Sequence, residues 1–450
     1  MAANIKLAEA ALRAYKQEHV LKVLESMPEP AKQKLAEQIG QVDFGELFSA
    51  LDNFLQGKKP DLTGVAPIGY EDWDRYGAEE KHAFTELGWE LLREGKIGAI
   101  VVAGGQGSRL GHEGPKGTLD IGLPSGKSLF QLQAERLIHL SLRAGKPIPW
   151  YIMTSPDNHE QTVSFFQEHH YFGYAAEDCF FFRQNTMPAL DREGRLLLTV
   201  DGALKLVPSG HGECFASLKR SGALADMKQR DLAWLFYYNV DNALIKVADP
   251  AFIGVAASRN HPVATKVIEK SDANEKIGIV CSHNDRPSVM EYNEIPMELK
   301  EMRKGDGRLF YSLGHISIHL FKLSFIEEHE DAAIPYHVAA KKLADSGPDG
   351  SLNKPDVYKL ERFIFDFFPL ADQLTVLLTR RDDEFAPVKN KEGKDSPQSA
   401  RSLLLALHKS WLLAVGISDE RLKGRELEIS PLLSYNGEGL NPEALRGLMM

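Results

Sequence analysis

The chain has 450 residues, 43% of them hydrophobic and 26% charged, with a formal net charge of -10. That length holds a full enzyme core with one or two attachments, since single cores seldom grow past roughly 250 to 300 residues. The acidic balance argues against broad binding to nucleic acid or to an anionic membrane, both of which want clustered positive charge, but not against small anions held by the local field of a cleft.

Apolar residues recur at helical spacing from 5 to about 55 (Leu7, Ala11, Leu12, Tyr15; Leu21, Leu24; Phe44, Leu47, Leu51, Phe54), predicting three or four short helices. Pro28, Pro30 and a connector over 57–69 punctuate them. Three cysteines, Cys179, Cys214 and Cys281, are too few and too far apart for a C-x-x-C zinc site or a disulfide framework. The N-terminus lacks the apolar core of a secretory signal and no run approaches the ~18 apolar residues of a membrane span, so the expected setting is cytoplasmic.

A helix over 79–93 leads into the first clear strand, 97–103, IGAIVVA, an apolar run suited to the centre of a parallel sheet. After a glycine-rich loop, the capping-box pair Ser128 and Gln131 opens a helix to about 144, followed by a strand at 150–154 and a helix at 158–169. This alternation predicts an α/β fold with a doubly wound, Rossmann-like mixed sheet. Further strands are expected at 232–240, 263–269, 277–282, 288–292 and 309–313, the later ones as an antiparallel or mixed extension. The end of the chain supplies a strand from 374, a Lys- and Asp-rich loop and a helix around 400–414.

The informative loop is 103–127, AGGQGSRLGHEGPKGTLDIGLPSGK, at a strand carboxyl end, where open α/β sheets place ligands. A dinucleotide G-x-G-x-x-G from Gly105 would need glycine where Leu110 stands, and a P-loop ending in Gly126-Lys127-Ser128 would need it at Ile121; both fail. Gly104, Gly105 and Gly107 are expected to use positive φ and to let backbone N–H groups approach a phosphate or a base edge. Arg109 and Lys116 add charge-assisted contacts to phosphate oxygens. The alternative is a solvent-exposed turn with incidental charges, against which stands the entropy that each glycine costs.

Residues 103–110, Pro115-Lys116-Gly117 and GLPSGKSLFQLQAERL resemble the UDP-sugar pyrophosphorylase family, and most closely the UDP-N-acetylhexosamine pyrophosphorylases. The likeness recurs in order at WYIMTS, MPAL, VDNALIKVADP, EYNEI, KLERFIFDFF and EFAPVKN, over about 89–401. It implies a nucleotide-diphospho-sugar transferase fold, with an N-terminal helical region (1–95), a catalytic domain (96–373) and a small C-terminal domain (374–450). The implied activity is a Mg²⁺-dependent uridylyl transfer that joins UTP to a sugar 1-phosphate and releases pyrophosphate.

Residue by residue, the resemblance implies that Ala103, Gly104 and Gly105 face the uridine and that Arg109 and Lys116 hold the leaving pyrophosphate. Gln184 would read the uracil edge and Gly210 would give backbone contact near base or ribose. Asp241 would carry Mg²⁺, Glu291 would accept sugar hydroxyls and Lys389 would reach the phosphates. Without the family, Asp241 reads as a surface or capping residue after an apolar strand, Glu291 as the exposed face of a strand beside Val289, and Lys389 as a solvated lysine.

Two positions depart from the pattern. Gly210-His211-Gly212-Glu213 stands where the N-acetylhexosamine enzymes carry Gly-Asn-Gly-Gly and the glucose-type relatives carry Gly-His-Gly, so His211 pulls towards an unacetylated hexose. His315 stands where relatives place a sugar-binding Asn, and could replace that amide as a donor. Overall likeness favours N-acetylglucosamine 1-phosphate, while these contacts favour glucose 1-phosphate or a relaxed choice. A non-catalytic UDP-sugar binding protein and an NAD-dependent oxidoreductase are the readings from other classes, disfavoured by the retained Asp and loop cations and by the failed dinucleotide fingerprint.

Overall fold

The β-branched, almost entirely buried run IGAIVV forms the strand around which most of the chain is organised. A computed structural model describes residues 2–57, 62–342 and 356–441, so part of the connector expected over 57–69 lies outside the described residues. The row of the main sheet that positions the site is built from Ile97–Val102 (β1), Trp150–Thr154 (β2), Cys179–Arg183 (β3), Trp234–Asn239 (β4), Val263–Glu269 (β5), Leu313–Lys322 (β6) and Leu374–Leu378 (β7). The order is β7-β5-β6-β4-β1-β2-β3. β6 is antiparallel to both neighbours and the other pairs in this row are parallel. The fold is therefore α/β with a large mixed sheet.

By contacts the chain divides into two units, each made of three segments. The first comprises Met1–Asp61, Gln184–Cys214 and Ala332–Asp366. The second comprises Leu62–Arg183, Phe215–Asp331 and Phe367–Met450 and holds the main sheet. These boundaries are not those at 95 and 373.

In the first unit the helices Ala2–Ala14, Glu18–Ser26, Glu29–Gly40 and Phe44–Leu55 bury Leu12, Leu24, Leu35 and Leu47 with Met187, Leu190, Leu196, Leu204 and Leu360. Leu190–Asp191 completes a three-stranded sheet with the hairpin His337–Lys342 and Asp356–Glu361.

In the second unit, Ala78–Arg93 (α1), Leu129–Ala144 (α2), Pro250–Arg259 (α3) and Pro397–Ala414 (α4) are the long helices. α1 and α3 touch backbone to backbone. A Cβ at Gly88 would fall 1.8 Å from the Pro250 carbonyl oxygen, and one at Gly254 would fall 1.7 Å from that of Phe84. α2 is capped by the Ser128 hydroxyl, which accepts the Gln131 N–H, whereas the Gln131 side chain bonds Glu135 and leaves the capping box half formed. No helix among the described residues is long and apolar enough to cross a membrane.

Two strand expectations are corrected. No strand forms at 309–312: β6 begins only at Leu313 and runs to Lys322, with a register shift opposite Lys266/Val267 and Ser317 in the left-handed region. Glu291 was expected inside a strand but lies just past the end of Arg286–Met290, which pairs with Ile279–His283 through a two-residue Asn284-Asp285 turn of positive φ. Such a turn matches the twist of the flanking strands and fixes their register.

Candidate nucleotide and sugar site

Within the second unit the chain leaves β1 towards β2 and β3, and leaves β4 towards β5 on the opposite side. Loops at such a switch point diverge and open a crevice at the strand carboxyl ends. The loop after β1 and the turn after β4 both lie there.

In the first of these, Ala103 is buried and commits its N–H to the Met153 carbonyl (2.8 Å) and its own carbonyl to Asn158 Nδ2 (2.8 Å). The next two amides, of Gly104 and Gly105, make no hydrogen bond among the described residues. The Gly105 carbonyl instead accepts the Lys116 N–H (3.0 Å) and Gly107 N–H donates to Gly114 (2.8 Å), so the loop is folded back on itself.

The expected positive φ at Gly104, Gly105 and Gly107 is a correction: the left-handed positions in this stretch are Gly111 (φ 73°) and Gly114 (φ 131°). Gly107 is required by space, since a Cβ there would lie 2.8 Å from the His112 ring. Gly117 is required likewise, because its Cβ would lie 2.2 Å from the buried ring of Phe130 on the first turn of α2.

Lys116 Nζ donates to Asp241 Oδ2 at 3.0 Å, and both side chains are mostly buried. Asp241 is fixed from two directions. From α2, Gln133 Nε2 donates to the Val240 carbonyl and Arg136 to that of Ala243, each at 2.9 Å. From the other side, Val388 N–H donates to the Asp241 carbonyl (2.9 Å), which brings the segment of Lys389 to the same turn. Lys389 is exposed, with its ammonium 5.8 Å from the Phe385 ring centroid. Arg109 is exposed on the turn Ser108–Leu110 and makes no ion pair among the described residues.

Two residues passed over by the sequence reading also belong to this cluster. Asn242 is buried beside Asp241. The Lys391 stem lies along the loop, 3.5 Å from where a Cβ of Gly111 would stand. Asn242 adjoins Asp241 within VDN and Lys391 directly follows APVKN, and that proximity was the available signal.

Asp241 fits Mg²⁺ by the chemistry of its donor. No group of three or more His, Cys, Asp or Glu forms a metal cage among the described residues. A single hard carboxylate completed by substrate phosphates is how Mg²⁺ is commonly held.

Glu291 and His315 meet around Gly278. The His315 N–H donates to the Gly278 carbonyl (2.9 Å), and Glu291 Oε1 lies 3.4 Å from where a Gly278 Cβ would be. His315 Nε2 also lies 3.2 Å from His319 Nε2, and His319 Nδ1 lies 3.0 Å from Thr265 Oγ1. His319 was not foreseen, because a histidine inside an apolar strand reads as packing.

In the first unit, Gln184 is buried at the head of its second segment. Gly210 has φ 93°, and a Cβ there would lie 2.4 Å from the Arg362 carbonyl oxygen. The next side chain, His211, accepts the Ile364 N–H at Nδ1 (3.1 Å), and burial pushes its imidazole down to about 4. It is therefore neutral near pH 7, with its proton on Nε2. Glu213, where the N-acetylhexosamine enzymes carry glycine, has a local reason: it pairs with Arg362 and accepts from Asn185 (2.7 Å).

A separate cavity of about 570 Å³ in the second unit includes none of these residues in its lining. Its Lys266 is already paired with Asp249 and Glu384, each at 2.7 Å.

The model of the family described as UTP–glucose-1-phosphate uridylyltransferase matches residues 68–436. A UDP-N-acetylglucosamine pyrophosphorylase of Saccharomyces cerevisiae is 39% identical, over 85% of this chain and 82% of its own length. A UDP-N-acetylglucosamine diphosphorylase of Arabidopsis thaliana is 34% identical, over 95% and 89%. Among solved structures, the uridine diphosphate N-acetylglucosamine pyrophosphorylase of Trypanosoma brucei, in complex with an inhibitor, superposes with a TM-score of 0.84 at 29% identity, covering 99% of this chain and 95% of that one.

Proposed function

The chain belongs to the UTP–glucose-1-phosphate uridylyltransferase family, and from that premise we propose that it makes UDP-N-acetylglucosamine and pyrophosphate from UTP and N-acetylglucosamine 1-phosphate. The observation that carries the reading is the 3.0 Å pair of Lys116 and Asp241 at the switch point of the sheet. A cation for phosphate and a hard oxygen for a metal stand together where a nucleoside triphosphate would enter.

The reaction is an in-line displacement at the α-phosphorus of UTP. An oxygen of the sugar phosphate forms the new P–O bond as the bond to the β-phosphate breaks, and the electron pair leaves with pyrophosphate. The attacking phosphate is ionised near pH 7, so no general base is needed. Catalysis rests on positioning two repelling polyanions and on neutralising charge as the leaving group forms.

Arg109, Lys116 and Lys389 supply fixed positive charge, and the amides of Gly104 and Gly105 supply donors with no other partner among the described residues. Asp241 would hold Mg²⁺, which when bound neutralises phosphate charge. Gln184 and Gly210 would recognise the uridine, and Glu291 and His315 the sugar. Ala103 can contribute only through its remaining carbonyl lone pair, since its N–H is engaged.

A second reading, glucose 1-phosphate as the preferred acceptor, is favoured by His211, a neutral imidazole where the N-acetylhexosamine enzymes carry Asn. The test is pyrophosphate release with UTP and Mg²⁺ against the 1-phosphates of glucose, galactose, N-acetylglucosamine and N-acetylgalactosamine. The highest kcat/KM is expected with N-acetylglucosamine 1-phosphate. A preference for glucose 1-phosphate would move the assignment to the second reading, and no release with any of the four would refute both.

A further inference from the structure

We propose that Asn242 is a positioning residue for this reaction, fastening the turn of Asp241 to the segment that presents Lys389; the proposal rests on the uridylyltransferase reading. Asn242 is 4% exposed, and its side chain points away from bulk water into the protein. Its Nδ2 donates to the Glu384 carbonyl (2.7 Å) and its Oδ1 accepts the Ala386 N–H (2.9 Å) and the Leu244 N–H (3.3 Å).

The need for such a clamp follows from how little backbone pairing joins the two segments, a single isolated bridge. Asn242 and Pro387 form an isolated antiparallel bridge of the non-hydrogen-bonded kind, in which neither residue's own N–H faces the other strand. The two backbones are joined on either side of that pair, by Ala243 N–H to the Ala386 carbonyl (3.0 Å) and Val388 N–H to the Asp241 carbonyl (2.9 Å). The Asn242 amide adds one donor and one acceptor to these bonds, reinforcing a single short bridge with a two-pronged side-chain contact. The far end of the clamp is anchored too, because Glu384 Oε1 accepts from the fully buried Lys266 at 2.7 Å.

The consequence is geometric. Asp241 and Lys389 act on the same phosphate chain from two separate segments, and a displacement of about 1 Å in such a pair can lower turnover on the order of 10²-fold. Asn242 touches neither substrate nor metal in this arrangement. It sets the spacing between two groups that do.

The decisive measurement is a double-mutant cycle on the full chain, following pyrophosphate release from UTP and N-acetylglucosamine 1-phosphate. Asn242→Ala is expected to lower kcat by about tenfold or more, with a smaller change in the KM for UTP, and to raise the Mg²⁺ concentration needed for half-maximal rate. In a Lys389→Ala background the same change should cost much less, because the partner it positions is gone. Should Asn242→Ala fail to fold, the isosteric Asn242→Asp keeps the acceptor for Ala386 while setting an oxygen against the Glu384 carbonyl, and the cycle is run with it.

Multiplicative losses in the double variant, or an unchanged Mg²⁺ requirement in a folded Asn242 variant, would overturn the proposal. Failure of the wild-type chain to release pyrophosphate would instead strike the functional reading beneath it.

Discussion

Lys116 and Asp241 neutralise each other at 3.0 Å, so each shapes what the other can bind. Lys116→Ala should lower kcat on the order of 10²-fold through loss of a transition-state charge donor. The same change should tighten Mg²⁺ binding to the nucleotide-free chain, because the Asp241 carboxylate loses a competing ammonium. Calorimetric Mg²⁺ titration beside steady-state kinetics tests both halves, and an unchanged kcat would remove Lys116 from the site. His211 carries a pH signature. Its folded-state pKa lies near 4 through burial, below an unfolded value of about 6.5. The unfolded chain binds the extra proton between those values, so the stability from this group is complete above about pH 6.5 and is lost as pH falls towards 4. His211→Asn should therefore flatten the acid limb of a stability–pH profile, by up to about 1.4 kcal/mol per pH unit in that window. Parallel profiles for the two proteins would contradict the buried neutral imidazole. Both roles were within reach of motif spacing, whereas VDN marks Asn242 only as a neighbour of Asp241, and its clamp is invisible there because the bonds go to Glu384 and Ala386, far along the chain.

Strands β1 and β2 could be read directly because their runs are almost wholly apolar, and β5 because Val263, Ala264, Val267 and Ile268 flank Thr265 and Lys266. β6 resisted because LGHISIHLFK interleaves Gly314, His315, Ser317 and His319 with the apolar residues, and its register shift disturbs the period-2 pattern on which strand reading depends. Glycine was misread in the opposite sense. Composition marks where glycine is needed, but whether for positive φ or for missing volume is decided by what packs against it, as Gly107 against His112 demonstrates. That distinction makes a paired prediction for the helices. Gly254→Ala would drive a methyl to 1.7 Å from the Phe84 carbonyl, and the forced separation of α1 and α3 should destabilise by about 3 kcal/mol or more. Gly40→Ala has open space around its Cβ, so only helix propensity acts and it should stabilise, by no more than ~1 kcal/mol. Thermal unfolding should give midpoint shifts of opposite sign, and an unchanged or raised midpoint for Gly254→Ala would mean that α1 and α3 are not in backbone contact.

At the scale of the whole molecule, the family and the α/β class were legible because ordered motifs span most of the chain. The division into two discontinuous units was not, because it depends on which distant segments share a core, which local periodicity does not encode. In the first unit, Met187, Leu190, Leu196, Leu204 and Leu360 are each at most 5% exposed in one cluster with the N-terminal helices. These helices therefore supply half of a core rather than an appendage. Removing residues 1–57 would uncover those five side chains at roughly 1.5 to 3 kcal/mol each, a sum comparable to the 5–15 kcal/mol that holds a typical protein folded. The shortened chain is expected to accumulate as aggregate or to be degraded. Size-exclusion chromatography with a pyrophosphate-release assay on any soluble fraction decides the matter. A monodisperse shortened chain with the kcat/KM of the full one would mean that residues 184–214 and 332–366 hold their fold without the helices, and that the shared core is dispensable.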